Sequence, residues 1–111
     1  MSIPVDVAAV PDAITCFGSH ALLISNSIAG PPRVSSVIVT VHGHHLAMEA
    51  GHKTRANVTE RPDVTLVWTA PDEPDYCLIV DGTARQGSLE TFVVQPTSAV
   101  LHRLASTESR R

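Results

Sequence analysis

The stretch AGHKTRANVTERPDVTLVW, residues Ala50–Trp68, places a glycine, a polar segment, a proline and an apolar run in that order. Gly51 ends the apolar segment before it, and Lys53–Glu60 predicts a short helix. We expect the helix to end before Pro62, because the residue that precedes a proline is disfavoured in the α region. Val64–Trp68 is apolar and rich in β-branched residues, which predicts a strand. The pattern therefore indicates one short helix between two strands.

The start of this predicted helix is basic, with Lys53, Thr54 and Arg55 following the glycine. Unpaired N–H groups at a helix N-terminus attract an anion, and a lysine, a hydroxyl and a guanidinium beside them are groups that hold a phosphate. The alternative is a solvated helix in which Lys53 and Arg55 point into water. Because basic helix starts are common, spacing alone favours the solvated helix over the phosphate site.

The composition is that of a globular protein. The chain has 111 residues, which predicts one domain over residues 1–111, and 43% of them are hydrophobic and 17% charged. Aromatic residues make up 4%, so aliphatic side chains must fill the core. The formal net charge of -3 argues against a nucleic-acid surface. No apolar run approaches the roughly 20 residues of a membrane span.

The sequence also predicts a cytoplasmic location. The beginning of the chain, MSIPVDVAAVPDA, lacks the basic start and the long apolar centre of a secretory signal. Cys16 and Cys77 are isolated thiols inside apolar segments. This arrangement is more typical of buried, reduced cysteines in a cytosolic protein than of a disulfide.

Short apolar segments separated by glycine, proline and polar residues predict several strands joined by tight turns. The longest is Arg33–Val41, in which the apolar run at residues 37–39 does not alternate, so both faces are expected to be covered. His42-Gly43-His44 predicts a hairpin turn, and Asp81-Gly82 predicts a bulge. The predicted elements are a helix at Pro11–Phe17, strands at Ala21–Ser25, Arg33–Val41, His45–Ala50, Val64–Thr69, Tyr76–Arg85 and Ser88–Gln95, a last strand or short helix at Pro96–Leu104, a polar loop at 71–75 and a frayed tail at 105–111.

This order of elements predicts an antiparallel barrel or sandwich with a helix between its third and fourth strands. Together with the motif GHKTRANV and the later VDGTA and QPTSAVLH, it resembles the pyridoxamine 5'-phosphate oxidase-like flavin-binding split-barrel proteins, in particular short actinobacterial-type members. The likeness runs from about Pro11 to His102, and its most specific part is Lys53–Asn57 with Pro62 and Val64. It implies a mainly β, six-stranded antiparallel split β-barrel with one or two short helices, and a homodimer with a flavin at its interface.

The resemblance implies that the cofactor phosphate lies at the start of the predicted helix. According to the resemblance, Lys53 and Thr54 are expected to hold the phosphate and Arg55 to assist them. Asn57 either fixes the turn or contacts the ribityl chain. Upstream of the fourth strand, Arg33, Lys53 and Arg55 are the plausible basic partners. The implied cofactor is FMN, with a deazaflavin as the alternative.

The resemblance also implies where the flavin ring lies. Ser35, Ser36 and Val37 on the long strand run beside the isoalloxazine ring, partly through backbone groups. Trp68 either covers the ring, from its own or the other subunit, or packs in the core or at the dimer interface. The sequence does not decide between these roles.

Four histidines, His42, His44, His45 and His52, offer a metal site as another interpretation, because imidazoles at a hairpin can converge on zinc. Adjacent residues of a strand point to opposite faces, so His44 and His45 would diverge. The sequence therefore favours a solvated hairpin tip and predicts no metal.

Two functions remain. The first is a flavin-dependent oxidoreductase that acts on an unidentified small molecule, with the cofactor supplying the redox chemistry. The second is a non-catalytic flavin-binding or apo split-barrel dimer. The sequence assigns no catalytic residue and predicts no partner among nucleic acids or membranes.

Overall fold

The computed structural model describes residues 2–69 and 75–105, which form eight strands and two α-helices. Residues 71–74 of the predicted loop and 106–111 of the predicted tail lie outside this range. A 3₁₀ turn, Val7–Ala9, precedes the first helix. The elements are β1 (Ser2–Val5), α1 (Val10–Phe17), β2 (His20–Ser25), β3 (Arg33–Ile38), β4 (Thr40–His42), β5 (His45–Glu49), α2 (His52–Glu60), β6 (Asp63–Trp68), β7 (Tyr76–Gln86) and β8 (Thr91–Arg103).

Both predicted helices are confirmed, and each begins one residue earlier than predicted. α1 carries Pro11 in its first turn and ends at Gly18, whose φ of 96° favours glycine. α2 begins after Gly51 and ends at Arg61, directly before Pro62. Within the described ranges, no helix is long and apolar enough to cross a membrane.

The strands form a single antiparallel sheet in the order β3–β2–β6–β7–β8–β5–β4, with β1 beside β8. Its two terminal strands, β3 and β4, are consecutive along the chain, and Val39 alone lies between them. The backbone N–H of Val39 donates to the carbonyl of Ser19 at 2.8 Å. A sheet whose two ends are one residue apart has to curl until those ends meet. The predicted antiparallel barrel is therefore confirmed.

The predicted strand count of six is wrong, because the described chain has eight strands. The predicted strand Arg33–Val41 divides at Val39, since its first part pairs with β2 and its last part with β5. β1 was not predicted. The segments predicted separately as Ser88–Gln95 and Pro96–Leu104 form one strand, β8, instead of two elements.

The bulge predicted at Asp81-Gly82 is confirmed, because the pairing of β7 with β8 shifts register there and Gly82 lies opposite Pro96. Residues 95–98 of β8 pair with neither β5 nor β1 on the other edge. Pro96 is therefore tolerated inside a strand, since no ladder N–H is needed from it. A Cβ on Gly82 would lie 2.6 Å from Cγ1 of Val94, so this close approach requires glycine.

The core fills the inside of the barrel and is mainly aliphatic, as the composition predicts. The two helices add Val10, Ile14, Thr54 and Val58 to it. The largest side chains with 0% exposure are Trp68, Phe92, Leu23, Leu46, Leu66, Leu78, Val10, Val80 and Val94.

Candidate functional site

A cavity of about 390 Å³ lies between the β2–β3 loop and α2. We call it the Arg33–Lys53 cavity after its two cations. Arg33 is the first residue of β3 and Lys53 the second residue of α2, so the fold joins two cations that are far apart in the sequence. The residues that line the cavity are Ser27, Ile28, Ala29, Arg33, His52, Lys53, Ala56 and Asn57.

The start of α2 contributes its backbone to this cavity. The first helical bond runs from the N–H of Arg55 to the carbonyl of Gly51 at 3.0 Å. The N–H groups of the preceding helical residues have no partner inside the helix. No side chain of the described residues caps this end. Free donors and the positive end of the helix dipole therefore accompany the exposed ammonium of Lys53.

Asn57 holds the loop that forms one wall of the cavity. Its Oδ1 accepts a hydrogen bond from the N–H of Ile28 at 3.3 Å. At the other end of α2, Nδ2 of Asn26 donates to the carbonyl of Asp63 at 3.3 Å. Asn57 thus stabilises the β2–β3 loop, and its contact with the ribityl chain stays a prediction.

Thr54 links α2 to the barrel. Its hydroxyl lies 3.3 Å from the hydroxyl of Ser35 on β3, and Thr54 is 8% exposed. Neither residue lines the Arg33–Lys53 cavity. The Thr54 side chain is therefore engaged with β3, which departs from its predicted role as a phosphate ligand, while its backbone N–H remains at the helix start.

A second cavity, of about 550 Å³, runs between β3–β4 on one side and β5 on the other, and we call it the β3–β5 groove. β3 pairs with β2 on one edge, and no described strand pairs with its other edge. Ser36 and Val37, which are predicted to lie beside the ring, both line this groove, whereas Ser35 does not. The full lining is Ser36, Val37, Ile38, Thr40, His42, Ala47, Met48, Glu49 and Thr91.

Arg55 lies elsewhere. Its Nε donates to the carbonyl of Ala50 at 3.0 Å. Its side chain lines a cavity of about 470 Å³ shared with Glu49, Glu90 and Thr91, here called the Arg55–Glu90 cavity. Lys53 and Arg55 therefore line different cavities, because residues two positions apart in a helix point to nearly opposite sides.

Trp68 belongs to the core. It has 0% exposure, and its Nε1 is a buried donor without a hydrogen-bond partner among the described residues. An indole without exposed surface lines neither cavity described above. The structure thus favours core packing for Trp68 over its predicted role of covering the flavin ring.

The predicted hairpin tip at His42–His44 is confirmed, with Gly43 at φ 62°. His42 lies opposite His45 across the hairpin. Among the residues that the structure describes, no group of three or more His, Cys, Asp or Glu side chains is arranged to hold a metal ion.

Sequence reasoning had no signal for some of the residues around the site. Ile28 and Asn26 enter through loop contacts that have no local pattern. The sequence offers His52 only as a member of the histidine group. Arg33 was recognised as a basic residue, but its position beside Lys53 depends on the pairing of β3 with β2.

Comparisons with known proteins agree with this architecture. No protein-family model matches the chain. Uncharacterised proteins of Mycobacterium bovis and Mycobacterium tuberculosis are each 38% identical over 65 residues, which cover 53% of this chain and 46% of the relative. The chain thus spans about half the length of the curated relatives that it matches.

The similar solved structures include three that carry named cofactors or families. An FAD-binding protein of Mesorhizobium loti superposes with a TM-score of 0.67 at 11% identity, over 95% of this chain and 98% of that one. A protein of Clostridium acetobutylicum related to general stress protein 26, of the pyridoxinephosphate oxidase family, gives 0.65 at 8%, over 89% and 91%. An F420 reductase gives 0.58 at 16%, over 80% and 90%. These likenesses show the fold alone: the chain has the split-barrel fold of these proteins.

Proposed function

We propose that this chain binds a phosphorylated flavin or deazaflavin and acts as an oxidoreductase on a small molecule. The observation that carries the proposal is the Arg33–Lys53 cavity. It joins a guanidinium and an ammonium from separate elements at an uncapped helix start. The proteins with the same fold include ones that are named FAD-binding protein and F420 reductase.

The donor set of the cavity fits a phosphate group. Charge-assisted hydrogen bonds from Arg33 and Lys53 would neutralise it, and the amides at the start of α2 would add neutral donors. Asn57 keeps the loop wall in place through Ile28. This set recognises the phosphate and not the ring, so it suits FMN and a phosphorylated deazaflavin alike.

The ring would then lie in the β3–β5 groove. Arg33 and Ser36 are three residues apart on β3, which corresponds to about 10 Å along the strand. Their side chains point to opposite faces, so a ligand that contacts both would pass along the open edge of β3. A ribityl chain can span this distance between a phosphate and a ring. Ser36 and Val37 line the groove, and the open edge of β3 offers backbone donors and acceptors to a heterocycle.

We further infer a homodimer. Leu22, Val34 and Ile38 are 47%, 62% and 59% exposed. The pairing of β2 with β3 places Leu22 opposite Ser36 and Ile24 opposite Val34, so these side chains share the outer face of two neighbouring strands. A second copy that meets this face through a two-fold axis would cover it with an identical surface.

When bound, the flavin supplies electron or hydride transfer. The residues of this chain bind and orient it, and the core behind β3 keeps water from that side. A non-catalytic flavin-binding or apo dimer is the second candidate. It is favoured by one observation: the buried polar residues in the described part of the chain are Ser25 and Thr54, and neither is an acid or a base.

The test is a fluorescence titration of wild type and Lys53→Ala with FMN and with riboflavin, which lacks the phosphate. A charge-assisted hydrogen bond contributes roughly 1.5–3 kcal/mol, so FMN should bind about ten- to a hundredfold more weakly to the variant. Riboflavin should change much less. Equal loss of both ligands would show that Lys53 supports the fold. A wild-type protein that binds neither FMN nor a deazaflavin would reject the proposal.

Turnover separates the two candidates. The flavin-loaded protein is mixed with a reductant and an electron acceptor, and flavin absorbance is followed. Repeated cycles of reduction and reoxidation support the oxidoreductase, and a stable bound flavin without turnover supports the carrier.

A further inference from the structure

The β3–β5 groove extends beyond the part assigned to the ring. From Ser36 it continues past Ile38 and Thr40 to His42 at the hairpin, along the strand pair β4–β5. The opposite wall is formed by Ala47, Met48 and Glu49 of β5. The groove has a volume of about 550 Å³, which exceeds the 390 Å³ of the Arg33–Lys53 cavity. A cavity of this size lies within the range of about 300–1,000 Å³ that is usual for small-molecule sites.

The charges along this groove are unlike those of the phosphate cavity. Among the described residues that line it, Glu49 is the acidic one, His42 is the other titratable one, and none is a lysine or an arginine. Glu49 is an exposed residue of β5 that lines the groove.

The basic residue of the neighbouring cavity is Arg55. It lines the Arg55–Glu90 cavity together with Glu49 and Glu90, so two carboxylates share that cavity with one guanidinium. The Nε of Arg55 is already bonded to the carbonyl of Ala50. The charges facing the groove and its neighbouring cavity thus sum to a negative field at the Glu49 end.

We propose that the β3–β5 groove is the substrate subsite and that it selects an amine-bearing, cationic molecule through the carboxylate of Glu49. This deepens the proposed function, on which it rests, by naming the substrate class. An ammonium placed there gains a charge-assisted hydrogen bond, whereas a carboxylate or phosphate placed there meets a like charge. The two sites thus treat anions differently. The Arg33–Lys53 cavity accepts the cofactor phosphate, whereas the groove rejects anionic substrates.

The experiment compares three probes of nearly equal shape: benzylamine, benzyl alcohol and benzoate. Each is titrated into the ¹⁵N-labelled protein with FMN and, separately, without it, and the amide shifts of Thr40, His42, Glu49 and Thr91 are followed. We expect benzylamine to bind about tenfold more tightly than benzoate, the effect of one charged contact at a partly exposed site. Glu49→Gln should bring benzylamine to the level of benzyl alcohol.

Glu90→Gln is the matched control, because Glu90 lines the neighbouring cavity but not the groove. It should keep the preference for benzylamine. The inference is overturned if benzoate binds as well as benzylamine, if Glu49→Gln keeps the preference, or if no probe shifts these amides in either form. A protein that shows the preference without FMN and fails to bind FMN would reject the proposed flavin function and retain the groove.

Discussion

The hydroxyl oxygens of Ser35 and Thr54 lie 3.3 Å apart and connect the open strand β3 to helix α2. These two elements carry Arg33 and Lys53, so this bond fixes the relative positions of the two cations of the candidate phosphate site. Thr54 is 8% exposed, and the bond is therefore partly shielded from water. Its loss should affect both stability and the affinity for a phosphorylated ligand.

We predict that Thr54→Val lowers the free energy of unfolding by about 1 kcal/mol, the usual net contribution of such a hydrogen bond. Urea unfolding of Thr54→Val, Ser35→Ala and the double variant measures it. The loss of unfolding free energy in the double variant should be smaller than the sum of the two single losses, because both substitutions remove the same hydrogen bond. Fully additive losses would show that the hydroxyls do not interact.

Trp68→Phe should leave flavin binding unchanged, since the side chain has no exposed surface. The stability loss should be modest because the variant also removes the unpartnered indole N–H, whereas Trp68→Ala should lose about 3–5 kcal/mol. Phe92→Leu serves as a control for destabilisation elsewhere in the core. Weaker binding of FMN to Trp68→Phe, without a similar effect in Phe92→Leu, would restore a ring contact for Trp68.

Sequence reasoning predicted the parts of the fold that are decided locally. The helix between Gly51 and Pro62 and the hairpin at Gly43 follow from the glycines and prolines themselves. The division of the long strand at Val39 could not be predicted in this way. It depends on the closure of the barrel, because β3 and β4 pair with strands at opposite ends of the sheet.

The candidate site was predicted less completely. Lys53 lines a cavity at the start of α2, and its place there follows from the position of the predicted helix. Arg55 lines a different cavity and Trp68 lies in the core. The face of a helix or strand that a residue occupies depends on which side packs against the barrel, and the local sequence does not specify that side. The position of Glu49 in the groove had no local signal, since it arises from the approach of β5 to β3.

Leu89 offers a test of backbone strain. It is the residue other than glycine for which a positive φ, 51°, is found in the described chain, and it is 90% exposed. Leu89→Asn should raise the free energy of unfolding by about 1 kcal/mol, because asparagine tolerates this conformation and little burial is lost. Thermal unfolding checks it. Leu89→Ala is the control and should give no comparable gain, as alanine keeps the strain.

Val34→Asp should dissociate the proposed homodimer, because it places a charge in the middle of the apolar face formed with Leu22 and Ile38. Sedimentation at micromolar concentration measures the change from dimer to monomer. Ile3→Asp is the matched control: Ile3 is 42% exposed but lies opposite Leu101, on the other face of the sheet. A monomeric wild type would contradict the proposal directly.

The last prediction distinguishes the two arginines near α2. Arg33 lines the cavity with Lys53, whereas Arg55 lines a different one and is bonded to Ala50. Arg33→Ala should therefore weaken the binding of FMN about tenfold or more, because a charge-assisted contact to the phosphate is lost. The affinity for riboflavin should change little. Arg55→Ala also removes one positive charge near α2, and it should preserve the ratio of the affinities for FMN and riboflavin.

The comparison controls for net charge, since both variants lose one positive group. Ligand fluorescence gives the four dissociation constants, and urea unfolding of each variant shows whether the fold is retained. If Arg55→Ala weakens FMN selectively and Arg33→Ala does not, the phosphate lies on the opposite side of α2. The Arg33–Lys53 cavity would then lose its assignment, because a phosphate on that side would be out of reach of the Arg33 guanidinium.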